Sequence, residues 1–294
     1  MAGRVPMPEA LKMLYSQFPL RYTAAILPPP LNASSSAPVL WIAPPLATSK
    51  YLSTDVECLK WQAYIALRGL KDINIRWDIY SSGGIDGRLP CLWIPPLDSE
   101  RQLSRGELLG ARTIPGWADE IQGEHVWNTE SEGYIDENAR DESRAWVALL
   151  EGVVHAALLI HQSTPSPLSA WLYSPSPALS HMSATLCPPP APMTGYNSVI
   201  PCQGTNIQAL SLHQRYQEAI SALSERLGTD KWFLGSSGPT PLDALIFAYL
   251  HIALHPQVKN MERARTEITH HVNLVAWERK VRFIVQGAFK AVFS

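Results

Sequence analysis

Two histidines four residues apart, His251 and His255, are the first groups in this chain whose spacing could do chemistry. On a helix they share one face, which is the arrangement of two metal ligands. A zinc-protease helix would carry Glu directly after the first histidine, whereas here Ile252 follows, and no cysteine stands close by. A core His251 and a C-capping His255, with no metal, are therefore expected. His270 and His271 are adjacent and diverge on any helix. Cys58, Cys91, Cys187 and Cys202 form no CxxC, and the first two fall in apolar periodic segments, so reduced buried thiols are expected. Gly235-Ser236-Ser237-Gly238 has no strand leading into it and reads as a turn rather than a nucleophile elbow. Asn32-Ala33-Ser34 matches a glycosylation sequon, but without a secretory signal no glycan is expected. No residue is expected to be catalytic, to bind a cofactor or to hold a metal.

The 294 residues are 46% apolar and 17% charged, enough for a substantial core. The net charge of −2 comes from 24 basic and 26 acidic residues, well mixed. Nucleic acid is thereby excluded as a main partner, since no basic stripe exists to displace counterions. The 25 prolines imply long ordered loops or linkers, and the ten tryptophans imply interface as well as core. No uninterrupted apolar run approaches the roughly 20 residues that span a bilayer. Pro6, Pro8 and Glu9 argue against a transit peptide at the N-terminus. A soluble or peripheral protein without a cleaved targeting segment is expected.

The element that must organise the fold is Trp232 to Leu254, WFLGSSGPTPLDALIFAYLHIAL. Thr240 is placed as N-cap, Pro241 at the first helical position and Asp243 at the third, a reciprocal capping box. The helix behind it is apolar on every side and so is expected to be the buried axis of a helical domain. Ahead of it, Glu9 to Phe18 reads as a short amphipathic helix, and 23–38 as a Pro/Ser-rich connector. Val39 to Ala43 has strand length, Val56 to Leu70 is a helix, and Ile73 to Ile79 alternates as a half-buried strand. A glycine turn then leads to Leu89-Pro90 and the apolar strand Cys91 to Ile94. This order is that of a thioredoxin-like domain, in which the proline is usually cis and opens the third strand. A further strand or loop and a helix near Ser104 to Leu109 would complete it. Helices follow over 137–162, 206–227, 257–270 and 274–293, with a Pro-rich insertion over 163–204. The expected layout is thus an N-terminal helix and connector over 1–38, a thioredoxin-like domain over 39–122, and an all-helical domain over 137–294.

A thioredoxin-like half followed by a helical half with Thr-x-x-Asp before a buried helix resembles the glutathione-transferase-like (α+β/α) fold. More narrowly, Ser53, Asp55, Cys58 and Leu59, then Gly87, Leu89 and Pro90, resemble two motifs of the metaxin family. Phe233, Gly235, Pro239, Asp243, Ala244, Phe247, Tyr249 and Leu250 look like its C-terminal signature. The likeness covers about 39–110 and 205–270. LYSQFPLR and the lack of a C-terminal hydrophobic anchor look most like the smaller, peripheral metaxin-like subunit of the fungal sorting and assembly machinery (SAM complex). The resemblance implies a subunit on the cytosolic face of the mitochondrial outer membrane, in peripheral contact with it. Implied partners are the β-barrel core subunit, a second metaxin-like subunit, and the β-signals of β-barrel precursors. The Pro-rich 163–204 stretch departs from that pattern.

A working glutathione transferase needs a Tyr, Ser or Cys after the first strand and an acidic-or-amide residue next to Ser after the third. Here Pro44, Pro45, Leu46 and Ala47 follow the strand, with Thr48, Ser49, Tyr51 and Ser53 as nearby hydroxyls. Gln102-Leu103-Ser104 splits the second pair. Ser53 and Asp55 are better explained as helix caps. A non-enzymatic assembly subunit is expected; a glutathione-dependent enzyme and a cytosolic scaffold of the same fold are the alternatives. Pro90, Thr240 and Asp243 are expected to be structural. Phe18, Trp41 and Trp93 are the candidate partner-binding residues, with Trp77, Trp117 and Trp127 of the same kind but mostly core.

Overall fold

The computed structural model describes residues 25–26, 37–45, 51–96, 106–122, 133–162, 209–255 and 261–291. The helix expected at Glu9 to Phe18, most of the connector, Trp127 and the 163–204 insertion lie outside the described residues, as do Thr48, Ser49, Gln102, Ser104, Cys187 and Cys202.

β1 (Val39–Trp41) is central, and Leu40 pairs in parallel with Ile75 of β2 (Ile73–Arg76). On its other side Leu40 pairs antiparallel with Leu92 of β3 (Cys91–Ile94), which pairs in turn with β4 (Glu107–Gly110). The β1–β2 crossover is α1 (Val56–Leu67), where the Asp55 carboxylate accepts from the Cys58 N–H at 2.9 Å. Gly69, at φ +80°, takes the chain off the end of that helix. Ile73 and Ile75 are buried while Asn74 and Arg76 are half-buried, as the alternation requires. The Leu89–Pro90 peptide is cis and sits immediately before β3. One expectation is corrected here: residues 107–110 form an edge strand, and the helix lies later, in α2 (Ile114–Gln122). Leu108 and Leu109 suit either state by propensity, and pairing with Trp93 and Leu92 decides between them.

The helical half begins with α3 (Glu137–Leu149), a π turn over Leu150–Val154, and α4 (His155–Gln162). Glu137–Ile160 contains an 18-residue window long and apolar enough to cross a membrane, and a third of that window is buried. Counting uninterrupted apolar residues missed it, because Glu151 breaks the run while the helix continues. Then come α5 (Ala209–Leu227), α6 (Pro241–Leu254), α7 (Glu262–Thr269) and α8 (Val272–Gly287). Every residue of α6 from Leu242 to Leu254 is buried. Its most extensive packing is against α1, beyond what it makes with α7 and α8. The apolar helix is therefore the shared wall of both halves rather than the axis of the helical half alone.

The chain also leaves the helical half again. α8 ends at Gly287, and Phe289–Ala291 form β5, parallel to β2 with Ile73 opposite Phe289 and Ile75 opposite Ala291. The sheet order is β4-β3-β1-β2-β5. The helix expected to run to residue 293 is thus corrected, and the C-terminal half is not purely helical. Ala288 and Phe289 are each 4% exposed, and the unpaired β2 edge offers their backbone a ladder that another helical turn would not.

Candidate functional site

In a transferase of this fold the reacting group would stand where β1 ends, facing the strand opened by Pro90. Here the loop after β1 is tied to α1 by its own hydroxyls. Ser53 is 1% exposed; its Oγ donates to the Ala43 carbonyl at 3.1 Å and accepts from the Asp55 N–H at 3.2 Å. The Ser53 N–H donates to Gln62 Oε1, and Gln62 Nε2 donates back to the Tyr51 carbonyl. Thr54 Oγ1 donates to the Pro44 carbonyl at 2.9 Å. Both hydroxyls and the buried amide are thus committed to holding the loop.

The thiols are no better placed to react. Cys58 lies in the first turn of α1, where a helix N-terminus would favour thiolate. Burial instead raises its pKa well above the usual value, and the Asp55 carboxylate adds to the rise. Cys91 Sγ accepts from the Ile85 N–H and is also raised, first by burial and then by Asp86. Both remain thiols at neutral pH. Iodoacetamide labelling at pH 8, mapped by mass spectrometry, is expected to spare Cys58 and Cys91 in the folded protein and to modify both in denaturant. Rapid labelling of Cys58 without denaturant would contradict this. Between α1 and the start of α6, a cavity of about 10 Å³ lined by Tyr64, Arg68, Pro239 and Thr240 has room for one water and no peptide.

The capping box is more elaborate than a surface cap. Asp243 Oδ2 accepts from the Thr240 N–H and from Thr240 Oγ1, both at 2.7 Å, and Oδ1 accepts from the Phe233 N–H at 2.9 Å. Thr240 Oγ1 accepts from the Asp243 N–H at 3.4 Å. Leu234 and Gly235, at φ +59° and +68°, make the turn that brings the Phe233 N–H round to the carboxylate. Asp243 is fully buried. Burial pushes its pKa up to about 6, against the downward pull of its donors, Phe233 first. This constellation fixes the start of α6, and the cavity that Thr240 lines has room for one water.

His251 and His255 do gain the acid that the linear sequence did not show beside them. Glu278 of α8, 2% exposed, accepts from His251 Nδ1 at 2.7 Å. His255 Nε2 is 3.7 Å from the same carboxylate oxygen, and the three ligating atoms lie within 4.8 Å of one another. The composition is that of a two-histidine, one-carboxylate metal site. However, Arg282 Nη1 donates to His255 Nε2 at 2.8 Å, and its Nε is 3.9 Å from Glu278 Oε1. The guanidinium therefore uses the lone pair a metal would need and supplies the positive charge itself. Ligation through His251 Nδ1 would also displace the proton shared with Glu278, while His251 Nε2 is buried with no hydrogen-bond partner among the described residues. The cluster works as an interlock between α6 and α8. Glu278 and Arg282 are i, i+4 on α8, but nothing local in the sequence shows that they face His251 and His255.

This interlock has a pH signature. Burial, then the neighbouring His251, lowers the His255 pKa to about 4, against the upward pull of Glu278. Arg282 and Arg265 lower it further. Protons then favour the unfolded chain, so the stability His255 contributes is present above the unfolded pKa of about 6.5 and is lost as pH falls toward 4. Asp243 acts in the opposite direction, adding stability below pH 6. Comparing wild type with His255→Gln cancels the Asp243 contribution. Between pH 7 and pH 5 wild type is expected to lose about 1 kcal/mol relative to the variant, after allowance for partial exposure. Urea titrations at the two pH values measure this, and parallel curves would refute it.

The interface candidates are corrected by burial. Trp41 and Trp93 are 1% and 6% exposed and belong to the core, as does Trp117. Trp77 is half-buried, and Phe18 lies outside the described residues. Side chains leave a sheet through its faces, so the Trp41 and Trp93 indoles are enclosed by what packs on those faces, which strand alternation alone could not establish. Among the described residues the strongly exposed aromatics are instead Tyr80 and Phe283, each 80% exposed.

Comparison with known proteins adds two findings. A family model, the C-terminal domain of glutathione S-transferase, matches residues 216–281. Human metaxin-2 is 38% identical over 64 residues, a match covering 22% of this chain and 24% of metaxin-2, so the chain aligns with about a quarter of that relative. Among solved structures, a glutathione transferase family member from Pseudomonas fluorescens with two glutathione bound is 11% identical. That likeness covers 86% of this chain and 93% of the other, with a TM-score of 0.45. The beta-etherase LigF from Sphingobium sp. is 17% identical over 83% of this chain and 94% of its own, with a TM-score of 0.46. The mixed sheet opened by a cis proline, the helical half and the matched C-terminal domain make this a protein of glutathione-transferase-like fold, with a partial likeness to metaxin-2.

Proposed function

We propose that the protein is a non-catalytic, metaxin-like subunit of the β-barrel sorting and assembly machinery on the cytosolic face of the mitochondrial outer membrane. The observation that carries this reading is the likeness to metaxin-2. The state of the cleft supports it: the Ser53 and Thr54 hydroxyls hold the loop and the Cys58 and Cys91 thiols are kept protonated. In this reading the protein contacts a β-barrel core subunit and a second metaxin-like subunit, and helps to recognise precursor β-signals.

Extended peptides add to exposed strand edges through backbone hydrogen bonds. The β2 edge is occupied by β5, while β4 pairs with β3 alone among the described residues. The β4 edge is thus the place for an extended precursor segment in this reading. A photo-crosslinker at Leu108 should capture a β-signal peptide, and crosslinks confined to the helical half would count against edge pairing. The wider test is affinity purification of the full chain in mild detergent. Co-elution of an outer-membrane β-barrel subunit is expected. Retention on glutathione-agarose together with turnover in a conjugation assay would overturn the proposal in favour of an enzyme.

A further inference from the structure

The outer face of α8 runs against the usual pattern. Its inner face buries Leu274, Trp277, Val281 and Val285, together with Glu278, the only acid on the helix. A helix that packs this way ordinarily presents a polar outer face. Here the centre of the exposed face is Val272, Ala276 and Phe283, with Val272 76% exposed and Phe283 80%. Ile284, 43% exposed, lies at its margin. At 100° per residue, Arg279 and Lys280 fall on opposite sides of that apolar line. Both are exposed, and neither forms an ion pair among the described residues. Arg282, the remaining cation, is turned inward to His255.

An apolar centre flanked by unpaired cations, with no acid on the exposed face, is the pattern of a helix lying in a membrane interface. The aromatic ring dips among the acyl chains while the long cationic side chains reach back to phosphates. We infer that the outer face of α8 rests on an anionic phospholipid surface, with Phe283 inserted and Arg279 and Lys280 against the headgroups. Charge complementarity selects the occupant: one apolar line with an exposed cation on either side matches a surface that is apolar within and anionic at its face. One ring and two cations make a weak, salt-sensitive contact, which orients a protein already held by partners. The inference deepens the membrane-surface role proposed above and rests on that reading for its setting.

The test is flotation of the 294-residue chain with vesicles of phosphatidylcholine alone, or of phosphatidylcholine mixed with cardiolipin or with phosphatidylserine. Binding is expected on both anionic mixtures, at least about tenfold stronger than on phosphatidylcholine. The Arg279→Glu/Lys280→Glu double variant should lose about tenfold, Phe283→Ser several-fold, and raised salt should release the protein. All these positions are exposed, so unchanged melting curves will show that the variants fold. Absence of binding, equal binding to neutral and anionic vesicles, or variants that bind like wild type would overturn the inference. So would variants that lose a co-eluting protein while wild type ignores vesicles, since the face would then dock protein. Vesicle binding that persists without co-elution of any outer-membrane subunit would instead sink the assembly role and leave this surface standing.

Discussion

Asp243→Ala should cost about 3–5 kcal/mol of folding stability, which for a protein of ordinary margin means loss of most soluble material. The carboxylate does more than cap a helix. Its removal leaves the Phe233 N–H, the Thr240 N–H and the Thr240 hydroxyl without their acceptor in a fully buried place. Each orphaned buried donor costs about 1–3 kcal/mol. Relief of the buried charge returns part of this, because the carboxyl is already raised to about 6. Thr240→Ala should cost nearer 1–2 kcal/mol, since the carboxylate then keeps both backbone donors, and Thr240→Ser should stay close to wild type. Urea unfolding of the three variants, with the soluble fraction measured in parallel, gives the order. An Asp243→Ala protein that unfolds within about 1 kcal/mol of wild type would show that burial of α6 alone holds the junction.

The second large effect is expected at the other end of the same scaffold. Phe289→Asp should cost about 3–5 kcal/mol and should also make the protein self-associate. Phe289 is 4% exposed and opposite Ile73, so the substitution places a carboxylate in the core and detaches β5 from β2. A freed β2 edge then presents unpaired backbone groups to another copy. Light scattering should report the association, and chemical unfolding the loss of stability. Lys290→Ala serves as a control: its ammonium is 2.6 Å from Asp72, but both side chains are mostly exposed, and no measurable change is expected. A monomeric Phe289→Asp protein of wild-type stability would mean that β5 is ornamental and that the β2 edge needs no cover.

The most legible parts of the sequence were those specified by neighbours in the chain. Thr240-Pro241-Leu242-Asp243 announces a helix start because cap, ring and carboxylate lie within one turn of each other. The strand over Ile73 to Arg76 is visible because alternation is a local period. The turn, Leu89-Pro90 and Cys91 to Ile94 in succession were enough to place a cis proline at the mouth of a strand. From such stretches the transferase-like fold could be read.

Other features had no local signature. Leu108 and Leu109 became an edge strand because β3 was there to pair with them, and Trp41 and Trp93 were enclosed by packing on the faces of the sheet. Glu278 and Arg282 completed the His251 and His255 cluster from 27 residues away, turning a metal spacing into a hydrogen-bonded interlock. The last strand left its helix because an unpaired edge of β2 stood within reach. By itself, then, the chain's order determined where helices start, which strands alternate and which helix must be buried, since those depend on groups a few bonds apart. Which edge is covered, which ring is enclosed and which acid meets which histidine were decided only by folding, because each depends on contacts between residues that the linear order keeps far apart.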